Sequence, residues 1–456
     1  MQLPDKRLYS VLDKFTDRIS RKQTLSMRKL ANARKEEIQF GRFLANDRVS
    51  IGQLQSHLYS QMTMSCNSSE VLLIQDTSQM AFGLNKSIEG LGKIDKGQIK
   101  GFYIHPILCL DAHNGACYGI ASLHIYKREF EEIQKRKKEI QAERSKTPYE
   151  QKEGYKWYSG IEEAIQNLNN VSQQKTVIAD READIYPLLA GLKNDLKVDY
   201  VIRSRFNRPT KAGRNVYETI QSWEQNYIHE IEVPATDKRS AHKAIMNIKF
   251  GEVDIKKSEG KSLKKQPSFF HTWVVEVKES KESVVGNELP IEWLLLTSHP
   301  VENIQKALQI INWYKERWNI EQLFRILKNK GLCLESTQVS HYEKLQKLMA
   351  LALMGAVKVL QLVRARSNHT NQSMACAFSK EEEKFMILVN QQVQGKTEKL
   401  SNPYSAKSLA FAAWVIGRLA GWSGYQSQRP PGPIDMLNGL KIFYQRMQGY
   451  KMIVDS

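Results

Sequence analysis

Cysteine is scarce. Five residues, Cys66, Cys109, Cys117, Cys333 and Cys376, are spread over 456 positions in an odd number and without the paired spacing that holds zinc. A disulfide framework and a cysteine-based metal knuckle are therefore excluded, and reduced thiols are expected. Long apolar runs are missing too. The longest, residues 348–357, stops at Lys358, far short of the roughly 20 residues that cross a bilayer, so a buried helix is expected and a membrane partner is not. Residues 1–12 lack the apolar region of a secretory signal, which gives a cytosolic expectation. The ten histidines form no HExxH pair, which argues against a zinc hydrolase.

Positive charge is what the chain has in excess. Lys and Arg total 67 against 49 Asp and Glu, a formal net charge of +18. That field favours a polyanionic partner, nucleic acid first. At roughly 100–200 residues per domain, the length allows about two to four domains with at least one sizeable core.

Residues 5–60 follow a helical pattern, with Leu8, Leu12, Phe15 and Ile19 recurring at three- and four-residue steps. Twelve Lys or Arg against six acids lie in the first 60 residues. A basic helical head suits duplex phosphates, and the exposed face of an ordinary helical domain fits the same pattern. Strand patterns follow. An apolar run at 71–75 ends in Asp76, and runs at 102–110 and 118–126 form a hairpin around His113, Asn114 and Gly115. Segment 127–152, dense in both signs of charge, reads as a solvated helix or loop. Helical spacing returns at 157–168, a second apolar run at 176–179 ends in Asp180, and a helix is expected over 183–192. Strands alternating with helices make an α/β layer, whose functional groups gather at the carboxyl ends of the strands, where Asp76 and Asp180 sit. Alternation at 228–233, 246–250 and 273–277 reads as an inserted β subdomain, with a Lys-rich turn at 256–268. From residue 301 the pattern is mostly helical, broken near 429–433.

Residues 313–328 are the most informative segment. At about 100° per residue, Tyr314, Arg317, Glu321 and Lys328 share one narrow stripe, while Ile320, Leu323, Phe324 and Leu327 form an apolar side. Alone, this is an amphipathic helix with an i,i+4 ion pair, and a lone strand-end aspartate is a helix cap. The combination says more. Asp76, Asp180 and Glu321 offer three hard oxygen ligands suited to Mg²⁺ or Mn²⁺, and two ions about 3.5–4 Å apart suit phosphodiester cleavage. Arg203, Arg205, Arg208, Lys211 and Arg214 add five positive charges in twelve residues with no acid, the composition of a DNA track.

These blocks resemble bacterial insertion-sequence transposases of the DDE type, in the subgroup with a Tyr-x2-Arg-x3-Glu-x6-Lys motif. Residues 71–77 (VLLIQDT) are similar to the family's first-aspartate strand, 177–185 (VIADREADI) to its second, and Tyr314, Arg317, Glu321 and Lys328 to its third block. Segments 200–205 and 293–297 extend the similarity over most of the chain. The resemblance implies an α/β, ribonuclease H-like catalytic core at 63–335 with a β insertion at about 206–296. A helical DNA-binding head at 1–62, shorter than the family's usual one, and a helical dimerisation region at 336–456 would flank it. It also implies Mg²⁺ as cofactor, with Mn²⁺ as substitute, in two ions held by Asp76, Asp180 and Glu321. DNA contacts fall to Tyr314, Arg317, Lys328, Arg203, Arg205, Trp293 and Arg325, with Trp293 stacking on a base during a hairpin-forming cut-and-paste reaction. The implied partners are terminal inverted repeats, target DNA and a second copy of the chain, in the bacterial cytosol at the nucleoid. Two alternatives remain open: a ribonuclease H-fold nuclease that cuts without joining, and a transposase-derived inhibitor or DNA-binding protein.

Overall fold

The computed structural model describes residues 3–83, 87–94, 99–128, 146–233, 239–257, 263, 266–328, 331–425 and 428–454. Most of the charge-dense segment 127–152 and of the Lys-rich turn at 256–268 lies outside these residues.

The basic head forms four helices: α1 (Lys6–Lys22), α2 (Met27–Leu30), α3 (Arg34–Ala45) and α4 (Ile51–Ser65). Asp5 caps α1 by accepting from the Arg7 amide, and Ser50 with Gln53 forms a capping box on α4. Val11, Leu12, Phe15 and Ile19 make the buried stripe of α1, and Phe15 stacks on Phe40 at 4.3 Å between ring centroids.

Among the described residues, eleven strands make a single sheet: β1 (Glu70–Gln75), β2 (Ser78–Phe82), β3 (Gly92–Ile94), β4 (Ile99–Asp111), β5 (Cys117–Tyr126), β6 (Gln174–Ala179), β7 (Asp199–Arg203), β8 (Tyr227–Val233), β9 (His242–Lys256), β10 (Phe269–Glu279) and β11 (Glu292–Thr297). Their order is β2-β4-β1-β6-β7-β11-β10-β9-β8, with β3 and β5 also pairing with β4. The expected hairpin is β4–β5, turned at Gly115 with φ 68°. β1, β6 and β7 run parallel, while β4 and β11 flank them antiparallel. In the β-rich region β11 hydrogen-bonds β7 through the pairs Leu295–Arg203, Leu296–Ile202 and Thr297–Val201, so β8–β11 continue the main sheet.

The near-continuous apolar runs of β1, β6 and β7 follow from burial on both faces. Val71, Leu73, Val177, Ala179, Tyr200 and Ile202 face one core with α5 (Lys156–Leu168) and α6 (Tyr186–Asn194). Leu72, Ile74, Ile178 and Val201 face the other, shared with the head helices and with α8 (Ile304–Lys315), α9 (Trp318–Leu327) and α10 (Tyr342–Ala365). α7 (Val216–Gln221) lies between β7 and β8; α11 (Lys380–Val393), α12 (Leu409–Leu419) and α13 (Pro433–Val454) complete the second layer. α10 contains the apolar run noted at 348–357. It is the one described helix long and apolar enough to cross a membrane, and 89% of its apolar window is buried inside the protein, as expected of a core helix.

Candidate active site

Asp76 and Asp180 end neighbouring parallel strands. Ile74 pairs with Ile178, and each strand reaches its carboxylate two residues later. Paired strands lie about 4.8 Å apart, so the two acids emerge side by side at one edge of the sheet. By the two-residue alternation they continue the face of Ile74 and Ile178, on which α8 and α9 pack. Asp180 stands before the short turn of helix Arg181–Ala183 yet makes no side-chain capping bond. Asp76 accepts from the Thr77 amide at 2.7 Å. Burial pushes the Asp76 carboxyl up to about 6; the Thr77 amide and Arg317 oppose the shift, and Glu182 and Asp180 add to it.

Residues 313–328 are not one uninterrupted helix. α8 ends at Lys315, the amides of Glu316, Arg317, Asn319 and Ile320 bond to carbonyls three residues back, and α9 begins at Trp318. The junction stays right-handed, with Arg317 at φ −51° and ψ −31°, so Tyr314, Arg317 and Glu321 still meet the sheet edge. Lys328 lies just past α9 with ψ −167°, and among the described residues no ion pair joins it to the carboxylates.

Three side chains, Tyr314, Arg317 and Arg203, reach the strand-end carboxylates. The buried Tyr314 donates its hydroxyl to Asp180 Oδ1 at 3.2 Å, and burial with Asp180 nearby pushes its own pKa up to about 12. Arg317 donates through Nη2 to Glu321 Oε1 at 2.6 Å and sets Nη1 3.5 Å from Asp76 Oδ2. Arg203, at the end of β7, places Nη1 3.9 Å from Asp180 Oδ1 and donates Nη2 to the Glu292 carbonyl at 2.8 Å, while its buried Nε has no partner. The half-buried Trp293 lies edge-to-face with Tyr314, ring centroids 5.3 Å apart.

The basic segment after β7 is less uniform than its composition suggests. Sequence reading missed Asp184, whose wholly buried carboxylate accepts from Ser204 Oγ, the amides of Arg205 and Phe206, and Arg208 Nε and Nη2. Arg208 thus braces the turn through Asp184. Lys211 lies over the Phe269 ring at 4.2 Å. Arg205, Arg214 and Arg325 are exposed.

Three carboxylates at a strand edge and a facing helix suit a hard divalent cation by donor type. Among the described residues, however, no three His, Cys, Asp or Glu side chains converge tightly enough to hold an ion as they stand. The Arg317 guanidinium lies between Asp76 and Glu321.

Residues 159–357 match the family model described as Transposase DDE domain. The match supports a DDE transposase family and a transposase function. It takes in Asp180, Arg203, Trp293, Tyr314, Arg317 and Glu321, and begins after Asp76 and the head. DDE transposases normally use divalent metal ions and bind DNA.

Proposed function

We propose that this chain is a DNA transposase that cleaves transposon ends and joins their 3′ ends to target DNA, with Asp76, Asp180 and Glu321 at its catalytic centre. The observation that carries the reading is the placement of Asp76 and Asp180 on adjacent parallel strand ends, linked through Arg317 to Glu321. The strand order β5-β4-β1-β6-β7, antiparallel then parallel, supports a ribonuclease H-like core under the helices.

Asp76, Asp180 and Glu321 would hold Mg²⁺ or Mn²⁺, which supplies Lewis-acid stabilisation of the attacking and leaving oxygens. Arg317 would exchange its carboxylate partners for a phosphate, which its planar fork can grip in bidentate fashion. Tyr314 orients Asp180 through its hydroxyl, Arg203 adds positive charge beside the same carboxylate, and Lys328, Arg205 and Arg325 would hold the DNA backbone. The basic head would bind the terminal repeats, and the helical region after residue 336 would pair two copies.

The test uses the full chain, Mg²⁺ and DNA carrying the sequences that flank the gene on both sides. Excision followed by joining to a target plasmid supports the proposal. Cleavage without joining indicates a nuclease, and binding without cleavage indicates an inhibitor. Asp76→Asn, Asp180→Asn and Glu321→Gln should each abolish cleavage while end binding persists in a mobility-shift assay; near-normal cleavage by any of them overturns that residue's assignment.

A further inference from the structure

We infer that His105 is a positioning residue for Asp76, gripping the strand end from the opposite face of the sheet; this rests on the catalytic reading of Asp76 given above. His105 lies in β4, beside β1, and is wholly buried. Its Nδ1 is 2.9 Å from Thr77 Oγ1 and its Nε2 is 3.1 Å from Gln75 Oε1, so one imidazole holds the residues on both sides of Asp76. Thr77 then passes the constraint on, because its amide donates to Asp76 Oδ1 at 2.7 Å. The edge of the sheet is thereby fixed from behind. Gln75 and Thr77 alternate with Asp76, and the ring that holds them packs at 77° to Trp157 of α5, centroids 4.6 Å apart, on the face away from α8 and α9.

The hydrogen bonding calls for a single proton on the ring. Gln75 Oε1 can only accept, so Nε2 of His105 carries the hydrogen and Nδ1 accepts from the Thr77 hydroxyl. With the Gln75 amide turned over, the two ring nitrogens exchange roles and the ring still bears one proton. Complete burial, with Lys156 nearby, keeps the imidazole neutral. A neutral two-point clamp on residues 75 and 77 leaves residue 76 little freedom to turn its carboxylate away from α9. Partners behind a metal ligand typically change activity by about 10–100-fold when removed.

A double-mutant cycle tests the clamp. His105→Leu keeps volume and loses both hydrogen bonds, and Thr77→Val loses the hydroxyl alone. Each should slow the single-turnover cleavage constant at saturating DNA on the order of tenfold, with DNA affinity unchanged, and the double variant should be no slower than the worse single. His105→Asn, which can still meet Thr77, should recover most of the rate lost in His105→Leu. Additive losses, an unaffected His105→Leu, or no recovery in His105→Asn would overturn the inference. Should His105→Leu fail to fold, ¹⁵N spectra of the native chain decide: the His105 Nδ1 resonance must shift in Thr77→Val, and no shift refutes the contact. Asp76→Asn is run beside them. Normal cleavage by Asp76→Asn sinks the catalytic reading itself, whereas an inactive Asp76→Asn beside a fully active His105→Leu sinks only the role of His105.

Discussion

Arg317 holds Glu321 one helical turn away, Nη2 to Oε1 at 2.6 Å, with the same guanidinium 3.5 Å from Asp76. One cation therefore stands against two of the three carboxylates that would hold a metal. Any divalent ion binding Asp76 and Glu321 together must compete with it. Arg317→Ala should tighten Mn²⁺ binding in calorimetry, because that competitor is gone, and should lower DNA cleavage, because the phosphate loses its bidentate partner. Weaker Mn²⁺ binding in Arg317→Ala would show that the guanidinium organises the carboxylates instead of competing for them.

Asp76 carries a cost of its own. Its folded pKa of about 6 stands above the ordinary aspartate value of 3.8, so the folded chain holds the proton more tightly than the unfolded one. The stability this confers is present at low pH and is lost as pH rises through about 4 to 6. At pH 7.5 the ionised, desolvated carboxylate destabilises the fold, and Asp76→Asn should raise stability by about 1–3 kcal/mol. The gain should vanish below pH 4 in chemical denaturation. A gain that persists there would trace to another cause.

The buried pair of Asp184 and Arg208, at 2.6 Å, separates shape from DNA contact in the basic segment. Asp184→Ala removes the carboxylate from Ser204 Oγ, two amides and Arg208, which keeps only the backbone carbonyl of residue 184, and should cost about 3–5 kcal/mol. Arg205→Ala should leave stability unchanged while weakening DNA binding and reducing the salt slope of log K by about one. The division of labour fails if Arg205→Ala unfolds the chain or if Asp184→Ala is neutral in stability.

Lys358 interrupts the apolar stretch of α10. The residue is half-buried, and its ammonium donates to Tyr444 Oη at 2.6 Å and lies 4.3 Å from the Phe378 ring centroid. Burial pushes its pKa down to about 8, with Glu382 and Asp17 opposing and Arg21 reinforcing the shift. Below pH 8 the folded state bears a poorly solvated charge; stability should rise as pH climbs from about 8 to 10.5, where the unfolded lysine still binds its proton. Lys358→Met should be more stable than the native chain at pH 7 by about 1–3 kcal/mol and should lose that advantage by pH 10.5. Equal pH profiles for the two proteins would refute the assignment.

The strand ends were legible because two apolar runs, 71–75 and 176–179, each stop at an acid, and parallel pairing brings such ends together. The break at Glu316 was not, since residues 313–320 contain neither Gly nor Pro and the tightening to three-residue hydrogen bonds is set by packing on the sheet. β2 and β3 escaped notice because runs of five and three residues owe their strand state to the long β4 beside them. The join of β11 to β7 spans about ninety residues of chain, a pairing that local alternation does not encode. Asp184 was hidden among charged neighbours. Only its burial distinguishes it from them.

Trp293 supplies the last prediction. It is the second residue of β11, half-buried and edge-to-face with Tyr314, itself bonded to Asp180, so its indole lies beside the proposed point of cleavage. In a cut-and-paste route that proceeds through a hairpin, a freed 3′ hydroxyl would attack the opposite strand and close the turn. So tight a turn drives a base out of the stack at a cost of a few kcal/mol, and an aromatic face returns about 1–3 kcal/mol when the base stacks on it. If Trp293 only packed against Tyr314, removing it would loosen the site for every step alike. If it receives the extruded base, Trp293→Ala should spare the first nick and slow hairpin closure by about tenfold, the kinetic equivalent of about 1.4 kcal/mol. End-labelled DNA on denaturing gels resolves the two products, and the stacking role is refuted when nicking and hairpin closure fall together or neither changes.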